Sequence, residues 1–145
     1  MSENDKPTPN YLWSVLHVKC PRCRRGNMFK QPNPYKPLRP KAILDMYHDC
    51  PVCSQTFDLE PGFWYGTGYM SYAITVLFSA VTFFLWWLTI GFSLDDNRLI
   101  YWIVVNAILN LALQPYFMRV SRLLYLNLFV HYNPNFDTEE TVKFT

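Results

Sequence analysis

Residues 69–90 read YMSYAITVLFSAVTFFLWWLTI, a run of 22 with no Asp, Glu, Lys or Arg. At 1.5 Å per residue, a helix of that length reaches about 33 Å, enough to cross a hydrocarbon core of roughly 30 Å. Trp64, Tyr65, Tyr69 and Tyr72 stand at one end and Trp86 and Trp87 at the other, as the two lipid–water interfaces of a spanning helix favour. A second run, Leu99–Met118, is uncharged over 20 residues, opens on Tyr101-Trp102 and closes on Tyr116 before Arg119. Residues 91–98 alone join the two runs, which demands an antiparallel hairpin. Two buried core helices of a soluble domain would need far more surrounding chain to cover them.

Outward from these runs the composition changes abruptly. The mean hydropathy of −0.03 averages two unlike halves. Nine of the 13 basic residues precede Pro61, whereas Pro61–Leu94 holds no charged residue. That segregation excludes a disordered chain and an ordinary soluble single domain. A net charge of +2 is too balanced to favour non-specific nucleic-acid binding. The connecting loop offers Arg98 beside Asp95 and Asp96, while the N-terminal flank and Arg119 and Arg122 are basic. Both termini are therefore expected in the cytoplasm and the short loop outside. No basic start followed by an apolar run occurs in the first thirty residues, so no secretory signal peptide is expected.

All four cysteines lie between Leu16 and Leu59, as Cys20-Pro21-Arg22-Cys23 and Cys50-Pro51-Val52-Cys53. Each pair can present two thiolates from one tight turn, and two such turns complete a tetrahedron around one Zn2+. A lone redox CxxC would suit a βαβ pattern, which is missing here, and a reducing cytoplasm disfavours disulfides. Four thiolates leave no open position, so the zinc is expected to be structural, with iron as the other metal such a set accepts. Gly26 is read as the positive-φ residue of the first knuckle, with Thr56 in the corresponding place of the second. Lys19, Arg22, Arg24 and Arg25 would offset the negative charge of the tetrathiolate; RNA or anionic lipid is the alternative reading of that cluster. His48 is read as a surface histidine. The insert Gln31–Pro40 holds four prolines and is expected to be an extended loop between two short hairpins.

Within the spans, Ser71, Thr75, Ser79 and Thr82 share one face of the first helix, and Asn106, Asn110 and Gln114 one face of the second. In an antiparallel hairpin Thr82 meets Asn106, Ser79 meets Asn110 and Thr75 meets Gln114, so the amides are expected to bond across the seam. A polar groove for a substrate or partner helix is the alternative. Phe78, Phe83, Leu85, Ile103, Leu109 and Leu113 are then expected on the outer faces. No His, Asp, Glu, Lys or Arg lies in either span, which excludes a histidine-bound haem or copper and an acidic proton relay there. Two helices enclose no pathway, so a monomeric transporter is excluded.

The fold class is thus a membrane α-helical hairpin, two transmembrane helices, with a small N-terminal four-cysteine zinc ribbon. The expected divisions are a flexible tail (1–15), the cytoplasmic ribbon (16–60), the hairpin (61–118), a stretch (119–136) that continues the second helix or lies in the interface, and a solvated tail (137–145). Phe63, Trp64, Tyr65 and Tyr69, with Arg119 and Arg122, are read as interfacial or docking residues. Gly62, Gly66 and Gly68 are read as sites of close backbone approach.

The segments CPRCRRGNMF from Cys20, CPVC from Cys50, Phe57, EPGFWYGTGYMSYA from Glu60, then Pro115, Arg119, Arg122 and NLFVHY from Asn127 together resemble a bacterial family, domain of unknown function family 983 in its Bacteroidetes form. Ser54 stands where that family often has Gly. The resemblance spans residues 17–134 and implies a bacterial inner-membrane protein with no established activity. In some relatives the genes lie near those of haem-copper oxidase subunits, which implies a respiratory partner. The leading expectation is a non-enzymatic accessory subunit or assembly factor, bound to lipid and to a larger inner-membrane complex, with no small-molecule substrate. A membrane-tethered zinc ribbon on nucleic acid is the alternative. A lipid-acting enzyme is a third reading, for which no Ser/His/Asp set is recognisable; Asp58 and Glu60 precede the first span, but nothing in the sequence places them together around a substrate.

Overall fold

The structure, a computed structural model, describes residues 7, 9–36, 43–91, 93 and 96–142. Its helices are α1 (Tyr11–Leu16), α2 (Thr67–Ile90) and α3 (Arg98–Phe129), with a 3-10 turn at Phe63–Gly66 leading directly into α2. Both long helices are long and apolar enough to cross a membrane. Leu recurs through α3 and favours helix; α2 is dominated by β-branched and aromatic residues, which are tolerated because few polar groups compete for the backbone. The helix α2 ends at Gly91, whose φ of 81° is open to glycine without strain. Arg98 Nη1 reaches back to the Ile90 carbonyl at 2.8 Å, satisfying one of the acceptors orphaned at that end.

The two helices form the antiparallel hairpin, and rings as well as polar groups fill its seam. Phe78 meets Phe117 at 5.4 Å and Phe83 meets Trp102 at 5.1 Å between centroids. These two phenylalanines therefore face inward, not outward as the apolar pattern alone implied. Leu85, Ile103 and Leu109 are exposed as expected.

The helix α3 does not stop where its apolar run stops. It passes through Pro115 and Met118 and continues to Phe129, which makes it 32 residues and about 48 Å long. Residues 119–129 are thus helix, and their inner face (Leu123, Leu126) with Val130 packs against the ribbon. That core joins Cys20, Cys23, Met28, Cys50, Cys53, Phe57, Leu59 and Phe63 from the N-terminal half to Phe136 from the tail. The ribbon is mounted on the end of α3, and the boundary drawn at residue 60 crosses a single core.

Both flanking segments are tied down where described. Residues 11–16, read as tail, are α1, fastened by Tyr116 Oη donating to the Leu16 carbonyl at 3.1 Å. Past Asp137, read as solvated, the Val142 N–H donates to Gln55 Oε1 at 3.0 Å and Gln55 Nε2 to the Val142 carbonyl at 2.7 Å. Among the described residues the ribbon has three antiparallel bridges: Lys19 with Asn27, Phe29 with Met46, and Asp49 with Thr56. Residues 37–40 of the Pro-rich insert, the next two residues (41–42) and 143–145 lie outside the described residues.

Candidate metal centre and its mounting

Each CxxC opens a knuckle built by the same backbone pattern. In the first, the Cys20 N–H donates to the Gly26 carbonyl at 2.9 Å and the Arg24 N–H to the Cys20 carbonyl at 2.7 Å. In the second, Cys50 N–H donates to Gln55 and Ser54 N–H to Cys50, both at 2.9 Å. Positive φ falls on Arg24 (56°) and Ser54 (54°), the residue after the second cysteine of each pair. Gly26 is not the positive-φ residue. Its glycine is required by closeness, because a Cβ there would lie 2.3 Å from Cys50 Sγ. The Gly26 N–H also donates to Cys23 Sγ at 3.4 Å.

The four cysteines are buried and unpaired, and their sulfurs all lie within 4.8 Å of one another. Cys20–Cys53 and Cys23–Cys50 are each separated by 3.7 Å between sulfurs. A metal tetrathiolate with bonds of about 2.3 Å has tetrahedral edges of about 3.8 Å, so the donor set fits one ion; a disulfide needs about 2.05 Å. As thiols the four compete for protons. Hydrogen bonds from Cys20, and then from Cys50 and Cys53, hold Cys23 far below the usual thiol range. Cys20, buried and in contact with the other three sulfurs, is pushed well above it. An ion bound here displaces those shared protons, which makes its affinity weaken as pH falls.

The basic residues around the first knuckle are occupied within the molecule. Arg22 is 2% exposed, and its Nη2 donates to the carbonyls of Glu139 and Glu140 at 2.6 and 2.9 Å. Arg24 stacks over Tyr132 at 4.3 Å and over Tyr11 at 5.4 Å, and Arg25 over Phe136 at 5.7 Å. Lys19 donates to Asn27. Arg22 and Gln55, both fully enclosed, strap the tail to the centre. The sequence carries no signal for either role, since their partners lie more than 85 residues away. His48 is exposed beside Asp49 and is not among the candidate ligands.

The residues read as a docking set divide. Phe63 is buried against Tyr125 and Phe129 at ring distances of 4.9 and 5.3 Å. Trp64 lies under Arg122 at 5.1 Å, and Arg122 Nη1 donates to the Leu44 carbonyl and contacts Met46 Sδ. Arg119 is 2% exposed and donates to the carbonyls of Ile43 and Gln31. These four hold ribbon, turn and hairpin together. Tyr65 and Tyr69 are fully open, with Tyr72 beside them on the same helical face. Gly66 meets the Tyr125 ring, since its Cβ would lie 2.3 Å from it, and Gly62 takes φ 83°; Gly68 faces open space.

At the seam, Thr82 Oγ1 donates to Asn106 Oδ1 at 3.2 Å, and Asn106 and Asn110 both donate to Ser79 Oγ at 3.1 and 3.3 Å. Thr75 does not meet Gln114; it donates to the Ser71 carbonyl, and Gln114 is exposed. Ser71 pairs instead with Ser121 at 2.8 Å, one turn past the expected end of the span. No family model, curated protein or solved structure matches this chain, so the family resemblance rests on the motifs themselves.

Proposed function

We propose that this chain is a non-enzymatic accessory protein of a bacterial inner membrane, a subunit or assembly factor that docks on a larger complex. The observation that carries the reading is the pairing of a closed metal centre with an unburied hairpin. Four buried cysteines enclose the metal position, and no described residue between Trp64 and Tyr116 is buried. We assign zinc to the centre, in a structural role, because tetrahedral sulfur-only sites suit it and offer no position for water. The ion and the knuckles fix the Tyr65–Tyr69–Tyr72 face relative to the ribbon, which suits a docking surface. The basic flank supports a cytoplasmic ribbon with both termini inside. The respiratory haem-copper oxidase is the favoured partner, on the family resemblance alone.

A nucleic-acid face would need Arg22, Arg24 and Arg25 free for phosphate, and their internal bonds and ring contacts speak against it. The test is purification at native expression in mild detergent, followed by mass spectrometry of the intact particle. A stoichiometric membrane complex containing this chain is the expected result. A lone monomer overturns the proposal.

A further inference from the structure

Where the uncharged run of α3 ends, a cavity of about 240 Å3 opens between α1, the first knuckle and the Pro-rich insert. His17, Lys19, Asn27, Gln31, Tyr116 and Arg119 supply its polar lining, and among the described residues no acidic side chain lines it. Arg119 is the unusual member. Its guanidinium is buried under the Phe29 ring at 4.7 Å, and two of its nitrogens donate to the carbonyls of Ile43 and Gln31 at 2.8 and 2.7 Å. Its Nη2 is buried with no partner among the described residues. Neutral carbonyls satisfy donors but do not balance charge, and a buried cation without an anion is costly. Lys19 adds a second positive charge at the same wall, and neither residue has an ion pair among the described residues.

Depth and surroundings say which anion fits. Arg119 is the first charged residue after Met118, so on the reading of α3 as a membrane span it sits at headgroup level. Beside the cavity α1 exposes Leu12 (73%), Leu16 (60%) and Trp13, an apolar ledge suited to the glycerol and upper acyl chain of a lipid. We propose that this cavity binds the phosphate of one anionic phospholipid, with Lys19 Nζ as its donor and the enclosed charge of Arg119 behind the wall. The lipid completes the charge of the joint at which ribbon, α1 and α3 meet. The inference rests on the membrane reading of the hairpin but not on the identity of any protein partner.

The full metal-loaded chain in neutral detergent is titrated with short-chain phosphatidylglycerol, phosphatidylcholine or inorganic phosphate, and retained lipid is counted by native mass spectrometry. One phosphatidylglycerol per chain, retained in preference to phosphatidylcholine, is the expected result. Lys19→Gln, on the cavity wall, should weaken retention about tenfold, the loss of one charge-assisted bond. Arg119→Gln removes the enclosed charge behind the wall and should also weaken it while the metal stays bound. Equal retention of the two lipids, or unchanged retention in Lys19→Gln, overturns the proposal. Inorganic phosphate displacing the lipid at millimolar concentration overturns the lipid as its source. Failure of the membrane reading looks different: the chain would then stay monodisperse without detergent.

Discussion

The hairpin and the metal-bearing end of this chain differ in what surrounds their apolar side chains. Along α2 no residue is buried, and Leu77, Leu88 and Leu111 are each exposed by more than 60%. At the other end Met28, Leu126 and Val130 are wholly enclosed, together with Cys20. The same helix, α3, serves both regions, changing from an all-round apolar surface to one with a buried stripe after Tyr116. The difference teaches that water-driven burial organises the metal end, while the hairpin depends on a medium or a partner that supplies an apolar surround. Substitutions should therefore have large effects at one end and small ones at the other.

The largest effect belongs to the metal. Cys50→Ser should abolish stoichiometric zinc, and structural sites of this kind contribute about 10–16 kcal/mol of apparent binding free energy. Because the cysteines share a core with Leu123, Leu126 and Phe136, limited proteolysis should open residues 123–136 as well as 16–59. Cleavage confined to the ribbon would mean that the two are separate units. Stripping the metal with a chelator should give the same pattern without any mutation.

Next come the enclosed aliphatics. Leu126→Ala should destabilise the metal end by about 2–5 kcal/mol, whereas Leu88→Ala on the hairpin should change its thermal melting little. Comparable losses at both positions would contradict the contrast drawn above. This contrast also marks what could be read from sequence. Two CxxC pairs and two uncharged runs are local patterns, and so the centre and the hairpin were legible. The joint between them was not. Leu123, Leu126 and Val130 do fall on one helical face, yet nothing local says that Cys20 or Phe57 lies opposite. Arg22 resembles any solvated arginine until Glu139 and Glu140 arrive from the far end of the chain. The seam was half legible for the same reason: Ser79 and Thr82 meet the amides as the antiparallel register requires, but Gln114 rotates outward.

Gly26→Ala separates closeness from flexibility. The added Cβ at 2.3 Å from Cys50 Sγ must push a ligand aside, so a loss of about 1–3 kcal/mol and weaker zinc retention are expected. Gly68→Ala meets nothing within 4 Å and should leave retention unchanged, with the slight helix gain of Ala over Gly. Ser79→Ala removes the acceptor shared by Asn106 and Asn110 and should loosen the hairpin by about 0.6–2 kcal/mol, read as earlier unfolding in detergent.

The smallest effect concerns the left-handed residues of the two knuckles, Arg24 and Ser54, which repeat the same backbone geometry with different side chains. A non-glycine residue at φ near 55° carries steric strain that glycine lacks, but glycine also gives the unfolded chain more freedom. Arg24 has compensation, since its guanidinium covers Tyr132 and Tyr11. Ser54 is exposed and its backbone N–H already makes the knuckle bond to Cys50, which glycine keeps. Ser54→Gly should therefore raise the stability of the metal end by about 0.5–1 kcal/mol, seen as slower zinc loss to a chelator. Arg24→Gly relieves the same strain but gives up both ring contacts, and it should gain nothing. If both changes stabilised equally, the stacking of Arg24 on Tyr132 and Tyr11 would contribute nothing.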